Sequence, residues 1–169
     1  LRLDAAPQDM DGLVAAMAYL QTLCANHSTA FIVRDHLGLA LEMGADGVHL
    51  GGGAGDLRAV RVALGRARIL GVSCGASRDA AMVAGEQGAA YVAFGDLRQR
   101  PGAEVYELLR LWSDLFVLPC LAEVATMVDD CARLAQAGAD LVAAGEGMWT
   151  EPEGAAASVR RLREALQAG

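Results

Sequence analysis

Three segments of this chain share one pattern, and that pattern limits the fold more than any other feature. "EMGADGVHLGG" at 42–52 is echoed by "EQGAAYVAFGD" at 86–96 and by "QAGADLVAAGE" at 136–146. Each reads as a helix end, a glycine suited to the left-handed cap position, a small residue, a short apolar strand and a closing glycine. The cap glycines are Gly44, Gly88 and Gly138, roughly 45 to 50 residues apart. Between them lie three further apolar segments, at 30–35, 68–74 and 115–120. The unit is therefore one strand plus one helix per roughly 25 residues, a βα repeat. The strands are continuous apolar runs, as a parallel sheet covered on both faces requires.

Helical spacing of apolar residues fills the intervals, as in "DMDGLVAAMAYLQTLCAN", "DLRAVRVALG", "SRDAAMVAGEQG", "AEVYELLRLWSD", "AEVATMVDDCARLAQAG" and "EGAAASVRRLREALQAG". Asp56, Ser77 and Ser113 stand where caps or turn residues are useful. With "LRLD" at 1–4 as a strand, seven βα units follow one another. Such regular alternation of right-handed crossovers predicts an α/β fold of the TIM type, a (β/α)8 barrel. The count falls one short of eight and the chain opens on Leu1, so the first βα unit is expected to be lacking here. An open doubly wound sheet is the alternative. Leu108, Leu109, Leu111 and Trp112 form a face that suits either the core or a homodimer contact.

Composition excludes several functions. Hydrophobic residues make up 54% and aromatics 5%, so the core is aliphatic. The net charge is −7, all 14 basic residues are arginine, and no basic stripe is present, which argues against nucleic acid as a partner. The absence of lysine rules out a Schiff base and a P-loop. Cys24, Cys74, Cys120 and Cys131 have no metal spacing and apolar neighbours, so reduced, buried thiols are expected. Without a signal peptide or a run of eighteen apolar residues, the expected location is cytoplasmic, with no membrane contact.

In a βα barrel the chemistry sits at the C-terminal ends of the strands. Those ends supply Arg2 and Asp4, Arg34 and Asp35, His49 with the glycines at 51–53, Ser73 and Cys74, Asp96, Cys120 with Glu123, and Gly145 with Glu146. Arginine, carboxylate and glycine together suit a small phosphate-bearing ligand, with room for a divalent metal.

The segments "FIVRDHLGLALEMGADGVHLG", "ILGVSCGASRDAAMVAGEQGAAYVAFG" and "AGADLVAA" resemble, in order, the thiamine phosphate synthase family, which includes the TenI-like thiazole tautomerases. The likeness covers nearly the whole chain and implies a single barrel domain over residues 1–169. It implies a reaction in which a pyrimidine pyrophosphate loses pyrophosphate and a thiazole phosphate captures the pyrimidine cation, with magnesium and basic groups holding the leaving group. By the resemblance Arg2, Arg34, Ser73 and Gly145 bind substrate phosphate, Asp35 is a metal ligand and magnesium is the cofactor. Asp96 takes the place of the tautomerase histidine and is the candidate general base.

Departures from the family pattern are specific. Asp4 stands for a lysine, Arg34 for an asparagine, and Gly52-Gly53-Ala54 for Gln-Glu-Asp, which removes a second metal-binding aspartate. The loop after the "FG" is shortened to "DLRQRPGAE", where Arg98 and Arg100 are candidates to replace lost charge. A glycine-glycine phosphate turn gives way to "PCLAE". Asp56 is either a second metal ligand or a helix cap, Asp35 a ligand or a cap, and His49 a core or a catalytic histidine. Glu123 and Glu146 read as first-turn helix residues, and Trp112 and Trp149 as packing residues. Three readings remain open: a thiamine phosphate synthase-like transferase, a diverged TenI-like binder of a phosphate or thiazole ligand, and a non-catalytic scaffold.

Overall fold

The computed structural model describes residues 1–4, 10–52, 55–125, 128–145 and 152–167. They gather into two compact units, Leu1–Val72 with Glu86–Ala90 and Ser73–Gly85 with Tyr91–Gly169. The first unit holds β1 (Arg2–Leu3), α1 (Met10–Asn26), β2 (Ile32–Arg34), α2 (Leu37–Glu42), β3 (Gly47–Leu50), α3 (Leu57–Leu64) and the start of β4 (Ile69–Gly75). The second holds the end of β4, then α4 (Arg78–Glu86), β5 (Tyr91–Asp96), α5 (Ala103–Leu115), β6 (Cys120–Val124), α6 (Val128–Gln136), β7 (Leu141–Ala144) and α7 (Ala155–Gln167).

Strands neighbour one another in sequence order, β1-β2-β3-β4 in the first unit and β4-β5-β6-β7 in the second. The pairings recorded for β1 to β4 and for β5 to β7 are parallel. A doubly wound sheet reverses its strand order at a switch point, and neither unit does so. The alternation of strand and helix is thus wound in one direction, as a TIM-type α/β fold requires.

In the first unit, Leu13, Met17 and Cys24 of α1 pack with Phe31, Val33, Ala40 and Ala45. Their spacing along α1 puts one helical face on the sheet, and each large side chain so buried stabilises the fold by about 1.5–3 kcal/mol. In the second unit, Trp112 of α5 meets Phe94 of β5 edge-on at 5.4 Å and stacks on Phe116 at 4.0 Å. Its indole N–H donates to the Leu118 carbonyl at 2.7 Å, so burial leaves no orphaned donor. Leu109 and Trp112 therefore belong to the core, whereas Leu111 is 38% exposed.

The repeated glycines adopt the expected left-handed backbone, with φ of 72° at Gly44, 92° at Gly88 and 102° at Gly138. Two residues on, the repeats at 42–52 and 136–146 carry aspartates that fasten the adjacent strand. Asp46 accepts the Phe31 N–H at 2.7 Å, and its own N–H reaches the Phe31 carbonyl at 3.0 Å. Asp140 does the same to Cys120, at 2.8 Å and 3.0 Å. The middle repeat has Ala90 there and keeps only the backbone bond, to the Leu70 carbonyl at 2.7 Å.

Three expectations need correction. The sixth strand is Cys120–Val124, not 115–120. Leu115 continues the helical spacing of α5, and Pro119 has no N–H to give a ladder. Glu123 is consequently a strand residue rather than a first-turn helix residue. Ser113 does not cap a helix but lies within α5 and donates to the Arg110 carbonyl at 3.0 Å. Asp56 and Ser77 do cap, accepting N–H groups at the starts of α3 and α4. Trp149 and Glu146 lie outside the described residues.

The clamp yields a measurable expectation. Asp46→Ala leaves the Phe31 N–H without its carboxylate and should destabilise the fold by about 1–3 kcal/mol. Urea unfolding of the variant against the parent chain reads this directly, and an unchanged midpoint would show the clamp to be dispensable.

Candidate functional site

In the first unit, strand register sets the geometry. Leu3 pairs with Val33 and Arg34 with His49, so Asp4, one step beyond Leu3, comes level with Arg34. Alternation puts Arg2 on the same face as Asp4. The outcome is a ladder of opposite charges. Arg2 grips Asp4 through two bonds, at 2.8 and 3.1 Å. Arg34 reaches Asp4 with Nη1 at 3.2 Å and Asp35 with Nε at 3.2 Å. The Gly51 N–H donates to the other oxygen of Asp35 at 2.6 Å. Arg2, Arg34 and Asp35 are thus brought together as the sequence implies, with Asp4 as the joint between the two arginines.

Two backbone features hold this ladder. Asp35 has φ of 57°, a left-handed conformation that costs a non-glycine residue energy and is tolerated because its carboxylate is bonded on both sides. A side chain at Gly51 would stand 3.1 Å from the Asp35 carboxylate and 3.3 Å from Arg34 Nη2, so glycine leaves room that any larger residue would take by pushing these groups aside. Asp35 is not a helix cap: α2 starts after His36, with no side-chain bond at its cap. His49 is completely buried on β3, and no buried side-chain nitrogen or oxygen among the described residues lacks a partner. It is a satisfied core histidine.

Magnesium, which the resemblance implies, fits these donors badly. Both Asp35 oxygens already accept a hydrogen bond, and residues 52–54 carry no carboxylate. Asp56 turns to the N-terminus of α3. Among the described residues no three His, Cys, Asp or Glu side chains gather as a metal site. The fixed positive charges here are the guanidinium groups of Arg2 and Arg34.

In the second unit, Ser73 near the end of β4 donates to Glu123 Oε2 at 2.7 Å. Glu123 is 3% exposed and was not among the residues picked out as ligand contacts. Asp96 ends β5 and accepts from the Arg98 N–H at 2.9 Å and from its guanidinium at 3.0 and 2.8 Å. Those bonds make it the anchor of the following turn. Arg100 pairs with the buried Asp130 at 2.9 Å in a groove of about 510 Å³ between α5 and α6, where Arg133 lies over the Tyr106 ring at 5.3 Å. Arg98 and Arg100 are therefore both engaged with carboxylates. Gly145 is buried, and a side chain there would press on the carbonyls of Leu97 and Val124 at 3.0 and 3.3 Å.

The four cysteines are free and buried. Burial pushes the thiols of Cys74, Cys120 and Cys131 up from 9.0 to about 11, with the charge of Glu123 adding to the effect at Cys74. No helix among the described residues is long and apolar enough to cross a membrane.

The family model described as thiamine monophosphate synthase matches residues 2–148. A thiamine-phosphate synthase of Erythrobacter litoralis is 44% identical over 144 residues, covering 81% of this chain and 68% of the relative. One of Rhodospirillum centenum is 38% identical over 172 aligned positions, covering 99% of this chain and 82% of the relative. Among solved structures, a thiamine phosphate pyrophosphorylase from Pyrococcus furiosus superposes with a TM-score of 0.83 at 24% identity, over 99% of this chain and 81% of that one. The likeness of structure shows the TIM-type α/β fold. The chain belongs to the thiamine monophosphate synthase family, a family of thiamine biosynthesis.

The raised thiols carry a pH signature. Below pH 9.0 the folded and unfolded chains both keep these protons, and above it the unfolded chain releases protons the folded chain retains. Stability should therefore fall between pH 9.0 and about 11. Urea unfolding across that range tests the sign, and a rise in stability would contradict it.

Proposed function

We propose that this chain is a thiamine phosphate synthase-like transferase, with Arg2 and Arg34 as the contacts for the diphosphate of a pyrimidine substrate. In the reaction the C–O bond to the diphosphate breaks and its electron pair leaves with the oxygen. The lone pair of the thiazole ring nitrogen then forms the new C–N bond. The observation that carries the reading is the ladder of the first unit, in which two arginines are preset by Asp4 and Asp35 at adjacent strand ends. A preset guanidinium loses little freedom when it takes a phosphate oxygen. Asp96, bonded to Arg98, serves the turn rather than acting as a base.

Arg34 supplies positive charge where the family pattern relies on a metal, so magnesium is not required for diphosphate binding. The same ladder favours a second reading. Two arginines and two aspartates sum to zero charge, which weakens attraction for a polyanion and suits a TenI-like binder without transferase activity.

Phosphorus NMR of the chain with a pyrimidine diphosphate and a thiazole phosphate separates the readings. Diphosphate should be released both with magnesium and with EDTA, and Arg34→Ala should lower kcat/KM by roughly tenfold to a hundredfold. Turnover that stops in EDTA would give the ion back its place. With no turnover in either condition, calorimetric binding of thiamine phosphate would support the binder.

A further inference from the structure

The two aspartates of the ladder in the first unit are held in different ways. Asp35 is fastened to the backbone: its Oδ1 accepts the Gly51 N–H at 2.6 Å, while its Oδ2 accepts Arg34 Nε at 3.2 Å. Asp4 has no such anchor. Among the described residues its carboxylate bonds only to guanidinium groups, to Arg2 Nε at 2.8 Å, Arg2 Nη2 at 3.1 Å and Arg34 Nη1 at 3.2 Å. Its side chain is also more exposed than either arginine's, 39% against 14% and 30%. Asp4 can therefore turn out to water without breaking a backbone bond, and Asp35 cannot.

The grip on Asp4 has the form of an anion seat. Nε and Nη2 of Arg2 take the two carboxylate oxygens side by side, the fork in which a guanidinium takes a carboxylate or a phosphate alike. The match to a carboxylate is incomplete. Asp4 Oδ2 is shared between Arg2 Nη2 and Arg34 Nη1, so two cations divide one oxygen. A diphosphate brings enough anionic oxygens to give each guanidinium its own. The donors it takes are those now engaged by Asp4, so the exchange calls for no unengaged group on either arginine. Arg34 stays aimed throughout, because Asp35 keeps its Nε.

Exchange has an energetic consequence. Two anions cannot hold the same donors, and a carboxylate beside a bound diphosphate repels it. Tethered next to the seat, Asp4 competes at a high effective concentration. It keeps the arginines extended while no ligand is bound, and it lowers the affinity for any anion that enters.

We propose that Asp4 is the internal counter-ion of the diphosphate seat, giving up Arg2 and Arg34 to the incoming diphosphate and returning to them as the released diphosphate departs. The inference rests on the assignment of Arg2 and Arg34 to diphosphate in the proposed function, and it adds a residue that limits how tightly the product is held.

The test is calorimetry of inorganic pyrophosphate with the full chain in a low-salt buffer containing EDTA, so that no metal ion carries the binding. Asp4→Asn keeps the size of the side chain and removes its charge. It should bind pyrophosphate about tenfold more tightly than the parent, the scale of two exposed ion pairs. Asp4→Ala should change affinity in the same direction. Glu42→Gln removes another exposed charge of the first unit, at the C-terminal end of α2, and should stay within about twofold of the parent. Equal or weaker binding in Asp4→Asn and Asp4→Ala would overturn the inference and leave Asp4 a group that only orients the arginines. So would a gain in Glu42→Gln as large as that in Asp4→Asn, since net charge would then explain both. Pyrophosphate that binds neither the parent nor Asp4→Asn would overturn the assignment of Arg2 and Arg34 as well. Tighter binding in Asp4→Asn, beside a parent chain that shows no turnover, would support the counter-ion and strike only the transferase reading.

Discussion

The aspartate of the Gly-Ala-Asp turn is the contact on which the strand ladder depends. A helix that ends at a left-handed glycine can leave in several directions. At Asp46 and Asp140 a carboxylate seizes the N–H of Phe31 or Cys120, while the aspartate N–H returns to the carbonyl of that residue. Two antiparallel bonds from one residue fix both the height and the direction of the incoming strand. Register then decides everything downstream, because a slip of one residue would turn every side chain to the other face. The meeting of Asp4 with Arg34 and of Gly95 with Glu123 follows from that register.

The two units handle charge differently. In the first, positive and negative groups alternate and are partly exposed, the side chains ranging from 14% to 49% accessible. Exposed pairs of this kind contribute little to stability, at most about 1 kcal/mol each, so their value lies in orientation. In the second, Glu123 is buried beside a hydroxyl and Asp130 is buried against the Arg100 guanidinium, where the lower polarity of the surroundings strengthens their fields.

Much of this was legible in the sequence. Gly44, Gly88 and Gly138 marked the helix ends, and continuous apolar runs marked a parallel sheet. Arg2, Arg34 and Asp35 were found together because strand ends converge in this class of fold. The sixth strand was hidden because "LFVLPC" is as apolar as any strand, and apolarity cannot tell a helix end and a loop from a buried strand. What distinguished them was Pro119, which cannot donate, and Leu115, which extends the face of α5. Glu123 was misread for the opposite reason: a charged residue inside a short apolar run looks like the edge of an element. A partner from β4, fifty positions away in sequence, satisfies it in the fold. The recurring aspartate of the turns was visible but had no role until the preceding strand was seen to approach it.

Gly95 ties the path of β5 to that of β6 rather than to any side chain. Its φ is 101°, and a Cβ there would run into the backbone carbonyl of residue 123. Every residue carries that carbonyl, so position 95 demands glycine whatever stands at 123, and exchanging the acid leaves the demand in place.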